Sequence, residues 1–359
     1  KERMSMPFAN RADTSMHDRS LSISTIFAVS ILVGCSAQVV PPDSTAVTLH
    51  HERTLTGFSN GVVYVLPHPT KPLLLVSEMD KGQVQLVTLE GQTRGLLGSK
   101  SALGMPTGMA HVLGSDAIFV GSQGGYGLKM VGLDGAVQAA ADQRQPMIES
   151  ALAVIVGGGR VYVADVTGYQ VLAYDETLQR RELTINQQSL PLEVRDSFGC
   201  TVKKAGGPYQ GPGCFNPHGL AWSPAHGGRL YASDPDNSAI VLFDVEGAHV
   251  RTIRDTSLFR VPRGLALLPS SHMLVVVEQK RIVLLSLNGR HLLHTCDVPG
   301  ASNMLGIGVD EAKATVYVAD PTAGAVFVLK LSGIEGRQLD AVNTMGVSSG
   351  DRVPSSMEL

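Results

Sequence analysis

The chain has 359 residues, 39 glycines, 5% aromatic residues and a formal net charge of −3, which is enough length for one large domain or two ordinary ones. Its charges form no block of one sign, so the basic surface that nucleic-acid binding requires is missing and nucleic acid is excluded as a partner. Many glycines and few aromatic residues are typical of a protein with many turns and short strands of Val, Leu and Ile.

Residues 1–37 are predicted to be an N-terminal extension that contains a signal peptide. Arg19 precedes the mostly apolar segment Leu21–Val33, and small residues follow it, which is the order found in secretory signals. The segment is shorter than the about 20 residues that span a bilayer, so a cleaved signal is favoured over a signal anchor. The folded part is therefore expected in an oxidising, extracytoplasmic compartment, secreted or periplasmic.

Two processing outcomes stay open for this N-terminus. The residues Leu32-Val33-Gly34-Cys35 resemble a bacterial lipobox, which would leave Cys35 lipidated and the protein attached to a membrane only through its N-terminus. Cleavage after Ala37 would instead release a soluble protein. In either case residues 38–46, with Pro41-Pro42, are predicted to be a flexible spacer.

Residues 47–341 carry an internal repeat, which is clearest between Asn216 and Arg254. The unit opens with Pro-x-Gly-apolar-Ala, continues with apolar-Tyr-x-Ala/Ser-Asp, and then adds two further short strands. The spacing from the repeat glycine to the acid is nearly constant among the later copies. The copies open near these residues: Gly61, Met105, Ala151, Asn216, Val261 and Met304.

Six copies of about 40–50 residues, each with four strands, predict an all-β fold, a six-bladed β-propeller of four-stranded antiparallel blades. Closing the ring removes the exposed sheet edges that a row of such sheets would leave. The alternating stretch Val47–Leu55 is predicted to close the ring as the outer strand of the last blade. Two separate β-sandwiches are the alternative, but the even spacing leaves no boundary between them.

Three segments, YASDPDNSAIVLFDVEGAHV, YVADVTGYQVLAYDE and YVADPTAGAVFVLKL, resemble NHL repeats, the blades of a six-bladed propeller family. The resemblance covers roughly residues 57–330 and is strong in the third, fourth and sixth copies. It implies the fold and says little about function, because this fold is shared by binding modules, lyases and lactonases.

One mouth of the central channel is the predicted ligand site. In a blade of this kind, the residue before the repeat glycine and the acid that ends the second strand lie at the same rim. The first set is Asn60, Thr107, Ser150, His218, Arg263 and Leu305, and the second is Glu78, Ser122, Asp165, Asp234, Glu278 and Asp320. The residues predicted to bind a ligand are His218, Arg263, Glu278, Asp165, Asp234, Asp320, Glu78 and Asn60.

A structural role competes with ligand binding for the acids. An Asp at the end of a strand accepts backbone N–H bonds and fixes the turn that follows. This interpretation is favoured for Asp165, Asp234 and Asp320, each of which precedes turn residues. Glu278 lacks such a turn, so a role in binding is more strongly expected for it.

Two metal-dependent families provide rival interpretations. Pro217-His218-Gly219-Leu220 resembles the Pro-His pair through which amidating lyases hold zinc, but that family uses three such pairs and this chain has one. Gluconolactonases and paraoxonases hold calcium in the mouth through Glu, Asn and Asp, which Glu78, Asn60 and Asp234 could supply. No cofactor is expected, and the alternative is one Ca or Zn ion in the central channel.

The stretch 182–215 departs most from the repeat and is predicted to be an inserted loop. In an oxidising compartment its two cysteines, Cys200 and Cys214, are predicted to form a disulfide, leaving Cys296 as a buried thiol. Residues 342–359 are rich in Ser, Gly and charge, which predicts a disordered tail.

The sequence therefore predicts a secreted or lipid-anchored monomer that binds a protein or small-molecule partner through one face of the ring. The rival hypothesis is an enzyme that uses the same mouth, either a calcium-dependent lactonase or hydrolase or a divergent amidating lyase. No motif of a catalytic nucleophile is present, so no catalytic residue is assigned.

Overall fold

A computed structural model describes residues 46–141, 148–179, 181–200, 211 and 213–334. Within them the strands form six antiparallel sheets of four strands each, and the innermost strands contact one another in ring order. The predicted six-bladed β-propeller is therefore confirmed. The predicted signal peptide, Cys35 and the C-terminal tail lie outside the described residues.

Each blade runs from an innermost strand at the channel to an outer strand at the rim. Blade 1 contains β2 (Val62–Pro67), β3 (Leu73–Glu78), β4 (Gln83–Thr88) and β5 (Thr93–Leu97). Blade 2 contains β6 (Met105–His111), β7 (Ala117–Gln123), β8 (Gly127–Gly132) and β9 (Val137–Ala140). Blade 3 contains β10 (Ala151–Gly157), β11 (Arg160–Asp165), β12 (Gln170–Asp175) and β13 (Arg181–Asn186).

The second half of the ring has the same order. Blade 4 contains β14 (Leu220–Ser223), β15 (Arg229–Asp234), β16 (Ala239–Phe243) and β17 (His249–Ile253). Blade 5 contains β18 (Leu265–Leu268), β19 (Met273–Val277), β20 (Arg281–Ser286) and β21 (Leu292–Asp297). Blade 6 contains β22 (Ile307–Asp310), β23 (Thr315–Asp320), β24 (Ala325–Ser332) and the N-terminal strand β1 (Thr48–Leu55).

Strand β1 closes the ring, as the sequence predicts. It pairs antiparallel with β24, with Leu49 opposite Leu331 and Leu55 opposite Val326. Leu49 and Leu55 are buried, and between them the exposed His50, Glu52 and Thr54 alternate with the half-buried His51 and Arg53. The alternation of the sequence therefore matches a strand with one covered face. The first and last parts of the propeller are thereby held in one sheet.

The blades depend on each other because their cores lie between them. Tyr231 and Leu242 of blade 4 pack in one cluster with Val276 and Leu285 of blade 5. The second strand of the last blade, Thr315–Asp320, is buried at every residue, since a neighbouring blade covers each of its faces. A four-stranded sheet without neighbours would expose both of these apolar faces to water.

The repeat glycine allows the innermost strands to approach closely. A Cβ atom at Gly219 would overlap the backbone carbonyl oxygen of Arg263 in the next blade, and one at Gly264 would overlap that of Leu305. A glycine is required wherever one backbone approaches another this closely. The recurrence of this residue in the sequence is therefore a packing requirement of the ring.

The inserted stretch begins with a regular strand. Residues 181–186 form β13, the outer strand of blade 3, so the insertion itself starts after Asn186. A short 3-10 turn (Gln187–Ser189) and the helix α2 (Leu192–Phe198) follow, and Cys200 forms a disulfide with Cys214. The predicted disulfide is confirmed. A second helix, α1 (Lys100–Leu103), joins blades 1 and 2, and no described helix has the length and apolar character to cross a membrane.

Candidate ligand site at the channel mouth

The residues at the mouth are set by the register of the two innermost strands of each blade. The backbone N–H of His218 donates to Ser233 O, that of Arg263 to Val277 O, and that of Leu305 to Ala319 O. In each pair the accepting residue directly precedes the acid of the second strand. His218, Arg263 and Leu305 therefore occupy equivalent positions in blades 4, 5 and 6.

Blades 1 and 3 present different residues from those predicted. Tyr64 lies opposite Ser77, and Ala153 opposite Ala164, so Tyr64 and Ala153 stand where other blades have the glycine. The residues at the mouth in blades 1 and 3 are therefore Val63 and Leu152, which precede Tyr64 and Ala153. Both inner strands contain a register shift at this point, between Val62 and Tyr64 and between Ala151 and Ala153. The shift breaks the spacing from which the sequence analysis placed Asn60 and Ser150 at the rim.

The pocket at this mouth is lined by five of the six residues that precede the repeat glycine or its replacement, and by Tyr64. Its enclosed volume is ≈ 20 Å³, which is room for about one water molecule. Thr107, the sixth equivalent residue, does not line the pocket, and its hydroxyl donates to Gly121 O and Ala151 O. The lining side chains are Val63, Tyr64, Leu152, Ala153, His218, Leu220, Arg263, Leu265, Leu305 and Ile307.

His218 is a neutral imidazole in this pocket. Its side chain is half-buried, and its Nδ1 atom is shielded from solvent without a hydrogen-bond partner among the described residues. The pKa of His218 is lowered to about 4, mainly by burial; the charge of Asp236 opposes this shift, and the charge of Arg263 adds to it. At neutral pH the ring therefore carries no charge.

Arg263 supplies the positive charge of the mouth. Its side chain is half-buried, and Nη1 donates to Asn303 Oδ1. Burial lowers the pKa of Arg263 below its ordinary value, and the charge of Asp320 opposes this. A guanidinium stays protonated at neutral pH in spite of such a shift.

The acids of the second set fix the backbone of their own blades. Asp320 accepts the backbone N–H of Ser302 at 2.7 Å and of Asn303 at 2.8 Å, in the loop before the inner strand. It also accepts those of Thr322 and Ala323, in the turn that follows it, both at 2.9 Å. One carboxylate thus joins two loops of a blade, which is the structural role that the sequence analysis favoured.

Glu278 and Asp165 have the same arrangement. Glu278 accepts the backbone N–H of Arg260 at 2.5 Å and of Val261 at 2.7 Å, and pairs with Arg281. Asp165 accepts those of Ser150 at 2.9 Å and Gly168 at 3.2 Å, with a side-chain bond from Gln170. Both carboxyl groups are buried and do not line the pocket. Glu278 instead borders a separate open cavity of ≈ 500 Å³ together with Arg260, Lys280 and Arg281, so the expected role of Glu278 in binding stays a prediction.

The calcium ligands considered from the sequence do not converge. Glu78 and Asp234 are buried in blades 1 and 4, on opposite sides of the ring, and Asn60 is exposed. Glu78 is bound to Ser59 N and to the side chains of neighbouring residues, and Asp234 to Asn216 N and Asn237. Across the described parts of the chain, no group of three or more His, Cys, Asp or Glu side chains is arranged to hold a metal ion.

The fold and this mouth define a six-bladed β-propeller with a small pocket at one end of its channel, in which His218 and Arg263 lie among mainly apolar walls. No family description matches the chain, and no curated protein matches it. Among solved structures it is similar to a gluconolactonase from Xanthomonas campestris, reported as important in glucose secondary metabolic pathways. The TM-score is 0.57, the identity is 15%, and the match covers 78% of this chain and 89% of that one. This similarity establishes the fold.

Proposed function

We propose that this protein is a binding module that holds the carboxylate of a small organic acid at the mouth formed by His218 and Arg263. The observation that carries the proposal is a half-buried guanidinium beside a neutral imidazole, at adjacent positions of the ring, among apolar walls. A guanidinium removed from water is stabilised by an anion, and its planar donors match a carboxylate.

The surroundings of Arg263 favour an external anion. Asp320, whose charge acts on it, has four backbone N–H donors of its own. The only side-chain acceptor that the guanidinium contacts among the described residues is the uncharged amide oxygen of Asn303. Leu152 and Leu305 line the same pocket, and apolar walls strengthen any ionic hydrogen bond formed there because they exclude water.

The size of the pocket limits what enters it. An enclosed volume of ≈ 20 Å³ accepts a group about as large as a water molecule. One carboxylate oxygen of the ligand therefore enters, and the remaining atoms of the ligand lie toward the open face. The protein would perform this binding outside the cytoplasm, because the Cys200–Cys214 disulfide fits an oxidising compartment.

Calorimetric titration at neutral pH tests the proposal with two ligands of equal size. We expect saturable binding of propionate, and affinity at least about tenfold lower for the uncharged propionamide, since only the acid pairs with Arg263. Arg263→Met should lose the preference for propionate. Arg94→Met, which removes an exposed arginine of β5, should behave as the wild type. Absence of propionate binding, or equal binding of the two ligands, would contradict the proposal.

A metal-dependent hydrolase is the second candidate, favoured by the likeness to the Xanthomonas campestris gluconolactonase. It requires ligands that the described residues do not bring together. Metal analysis of the purified protein, with melting curves before and after chelation, separates the two candidates. Stoichiometric Ca or Zn whose removal lowers the melting temperature and abolishes lactone hydrolysis would favour the enzyme. An unchanged melting curve and no hydrolysis would favour the binding module.

A further inference from the structure

A second cavity lies over blade 5, on the face of the ring that carries the mouth, and is here called the cleft. It is open to solvent and measures ≈ 500 Å³. The cleft and the pocket at His218 have no lining residue in common, so the two sites are separate. The charged residues that line the cleft are Arg260, Glu278, Lys280, Arg281 and Asp297.

Blade 5 has a shorter turn than its neighbours at this position. In blades 1, 3, 4 and 6, four residues separate the acid that ends the second strand from the first residue of the third strand. In blade 5 only Gln279 and Lys280 separate Glu278 from Arg281, the first residue of β20. The backbone N–H of Glu278 donates to Arg281 O, and that of Val298 to Lys280 O, which fixes this turn. The space that turn residues fill in the other blades is therefore left open.

Glu278 orients Arg281 at the wall of the cleft. The Nε atom of Arg281 donates to Oε2 of Glu278, while Oε1 accepts the backbone N–H of Arg260 and of Val261. Both carboxylate oxygens are therefore occupied by donors of the protein. The two amino groups of the Arg281 guanidinium have no partner among the described residues, and the side chain is 32% exposed. They are accessible donors in a fixed orientation.

Two further cations face the cleft. The side chains of Arg260 and Lys280 are exposed, and within the described parts of the chain neither forms an ion pair or a hydrogen bond. Asp297 is the one lining carboxylate besides Glu278, and it is exposed. Because the charge of Glu278 is already used, three cations stand against a single available carboxylate. The cleft therefore favours an anion.

We infer that the cleft binds a soluble phosphate monoester, with the phosphoryl group between Arg260, Lys280 and Arg281. Such a group carries nearly two negative charges at neutral pH and three strong acceptor oxygens, which suit guanidinium and ammonium donors. The volume leaves room for the rest of a small ester, and Gln279 and Asp297 offer polar partners for its hydroxyl groups. Val261 is the single apolar residue of the wall, so the cleft has no surface for the acyl chains of a lipid.

Calorimetric titration with glycerol 3-phosphate at neutral pH and low salt tests the inference, with glycerol as the uncharged counterpart. We expect saturable binding of glycerol 3-phosphate and none of glycerol. The affinity should fall as salt is added, because ionic contacts at an open site are screened. Absence of saturable binding, or equal binding of the two compounds, would overturn the inference.

Variants locate the binding. The double substitution Arg260→Met and Lys280→Met should lower the affinity for glycerol 3-phosphate at least about tenfold. Arg290→Met with Lys71→Met removes the same charges from exposed positions elsewhere and should bind as the wild type, as should Arg263→Met at the mouth. If the first double variant does not fold, Lys280→Met alone should still weaken binding. Unchanged affinity on loss of the cleft cations, or lost affinity in either control, would overturn the inference.

Vesicles that contain phosphatidic acid separate a lipid from a soluble ligand, since the headgroup of this lipid is also a phosphate monoester. At physiological salt the wild type should sediment with them no more than with vesicles of phosphatidylcholine. Sedimentation with phosphatidic acid that is lost in the variant with Arg260→Met and Lys280→Met would overturn the assignment of a soluble ligand.

Discussion

Two buried carboxyl groups at equivalent positions in blades 1 and 4 have opposite pKa shifts. Burial alone would raise the pKa of Glu78, but hydrogen bonds from Lys81, Ser59, Gln83 and Gln85 lower it to about 2. For Asp234 burial has the larger effect, and its pKa rises to about 7 in spite of hydrogen bonds from Asn237 and Asn216. Desolvation has the larger effect at Asp234, and the nearby charge of Asp236 adds to it. Glu78, in contrast, is contacted by a lysine, whereas the hydrogen-bond donors of Asp234 are amides.

This difference predicts opposite pH dependences for two matched variants. Glu78 has a lowered pKa in the folded state, so its contribution is present above its ordinary value of 4.5 and is lost as the pH falls toward 2. Glu78→Gln should therefore be less stable than the wild type at pH 7, with a difference that shrinks on acidification. Chemical denaturation across pH 3 to 8 measures this.

Asp234→Asn should show the reverse trend in the same experiment. Its folded pKa of about 7 lies above the ordinary 3.8, so the stability of the wild type is lost as the pH rises through 7 and the buried carboxyl ionises. The amide does not ionise, and the stability of the variant relative to the wild type should rise from pH 4 to pH 8. Parallel pH profiles for the two variants would contradict the assignment of different environments.

At the scale of one strand, the repeat glycine sets how closely two blades approach. A Cβ atom at Gly108, in the inner strand of blade 2, would lie 2.6 Å from Leu152 O and 2.7 Å from Val154 N of blade 3. These are backbone atoms, which cannot move aside without shifting the neighbouring strand. Blade 3 has Ala153 and blade 1 has Tyr64 at the equivalent positions, and the inner strands of blades 1, 2 and 3 all contain a local register shift.

Gly108→Ala is therefore expected to lower the free energy of unfolding by about 3 kcal/mol, the upper range for an overpacked core. Gly95→Ala is the control, because a Cβ atom there would meet Leu86 at 3.5 Å, an ordinary contact. Its effect should be below about 1 kcal/mol. Urea denaturation of both variants makes the comparison, and equal stabilities would show that the close approach does not constrain this position.

The disulfide between Cys200 and Cys214 restrains the inserted segment that precedes His218 in the chain. It closes a loop with a sequence separation of 14 residues, for which chain entropy predicts about 3 kcal/mol of stabilisation. Cys200→Ser should lower the melting temperature by several degrees, and reductant should lower that of the wild type to a similar value. A melting temperature that neither change affects would show that the bond does not contribute to stability.

At the scale of the whole molecule, the architecture was predictable because ring closure requires repetition. The spacing of short apolar runs predicted the blade number, and the alternation of Val47–Leu55 predicted the closing strand. The outer strand of blade 3, Arg181–Asn186, was assigned to the inserted loop because its residues lack the apolar alternation of the other strands. The fold thus followed from a periodic signal, and errors arose where that signal is interrupted.

The site was predictable only in part. His218, Arg263 and Leu305 were placed by the glycine that follows each of them, but Val63 and Leu152 were missed because Tyr64 and Ala153 replace that glycine. The cavity at the opposite end of the channel, which Leu66 and Val309 line, has no motif, since such residues are indistinguishable in sequence from ordinary core residues. Its existence depends on how six strand ends diverge around an axis, which local sequence does not encode.

In the proposed site, the neutral imidazole of His218 lies beside the permanent positive charge of Arg263, and the two side chains bind an anion. Histidine NMR titration of His218 measures this arrangement most directly, in the presence of propionate or propionamide. We predict a pKa of about 4 for the unliganded protein, raised by saturating propionate because a bound anion favours the imidazolium, and unchanged by propionamide. A pKa near the ordinary 6.5, indifferent to both compounds, would contradict the proposed site.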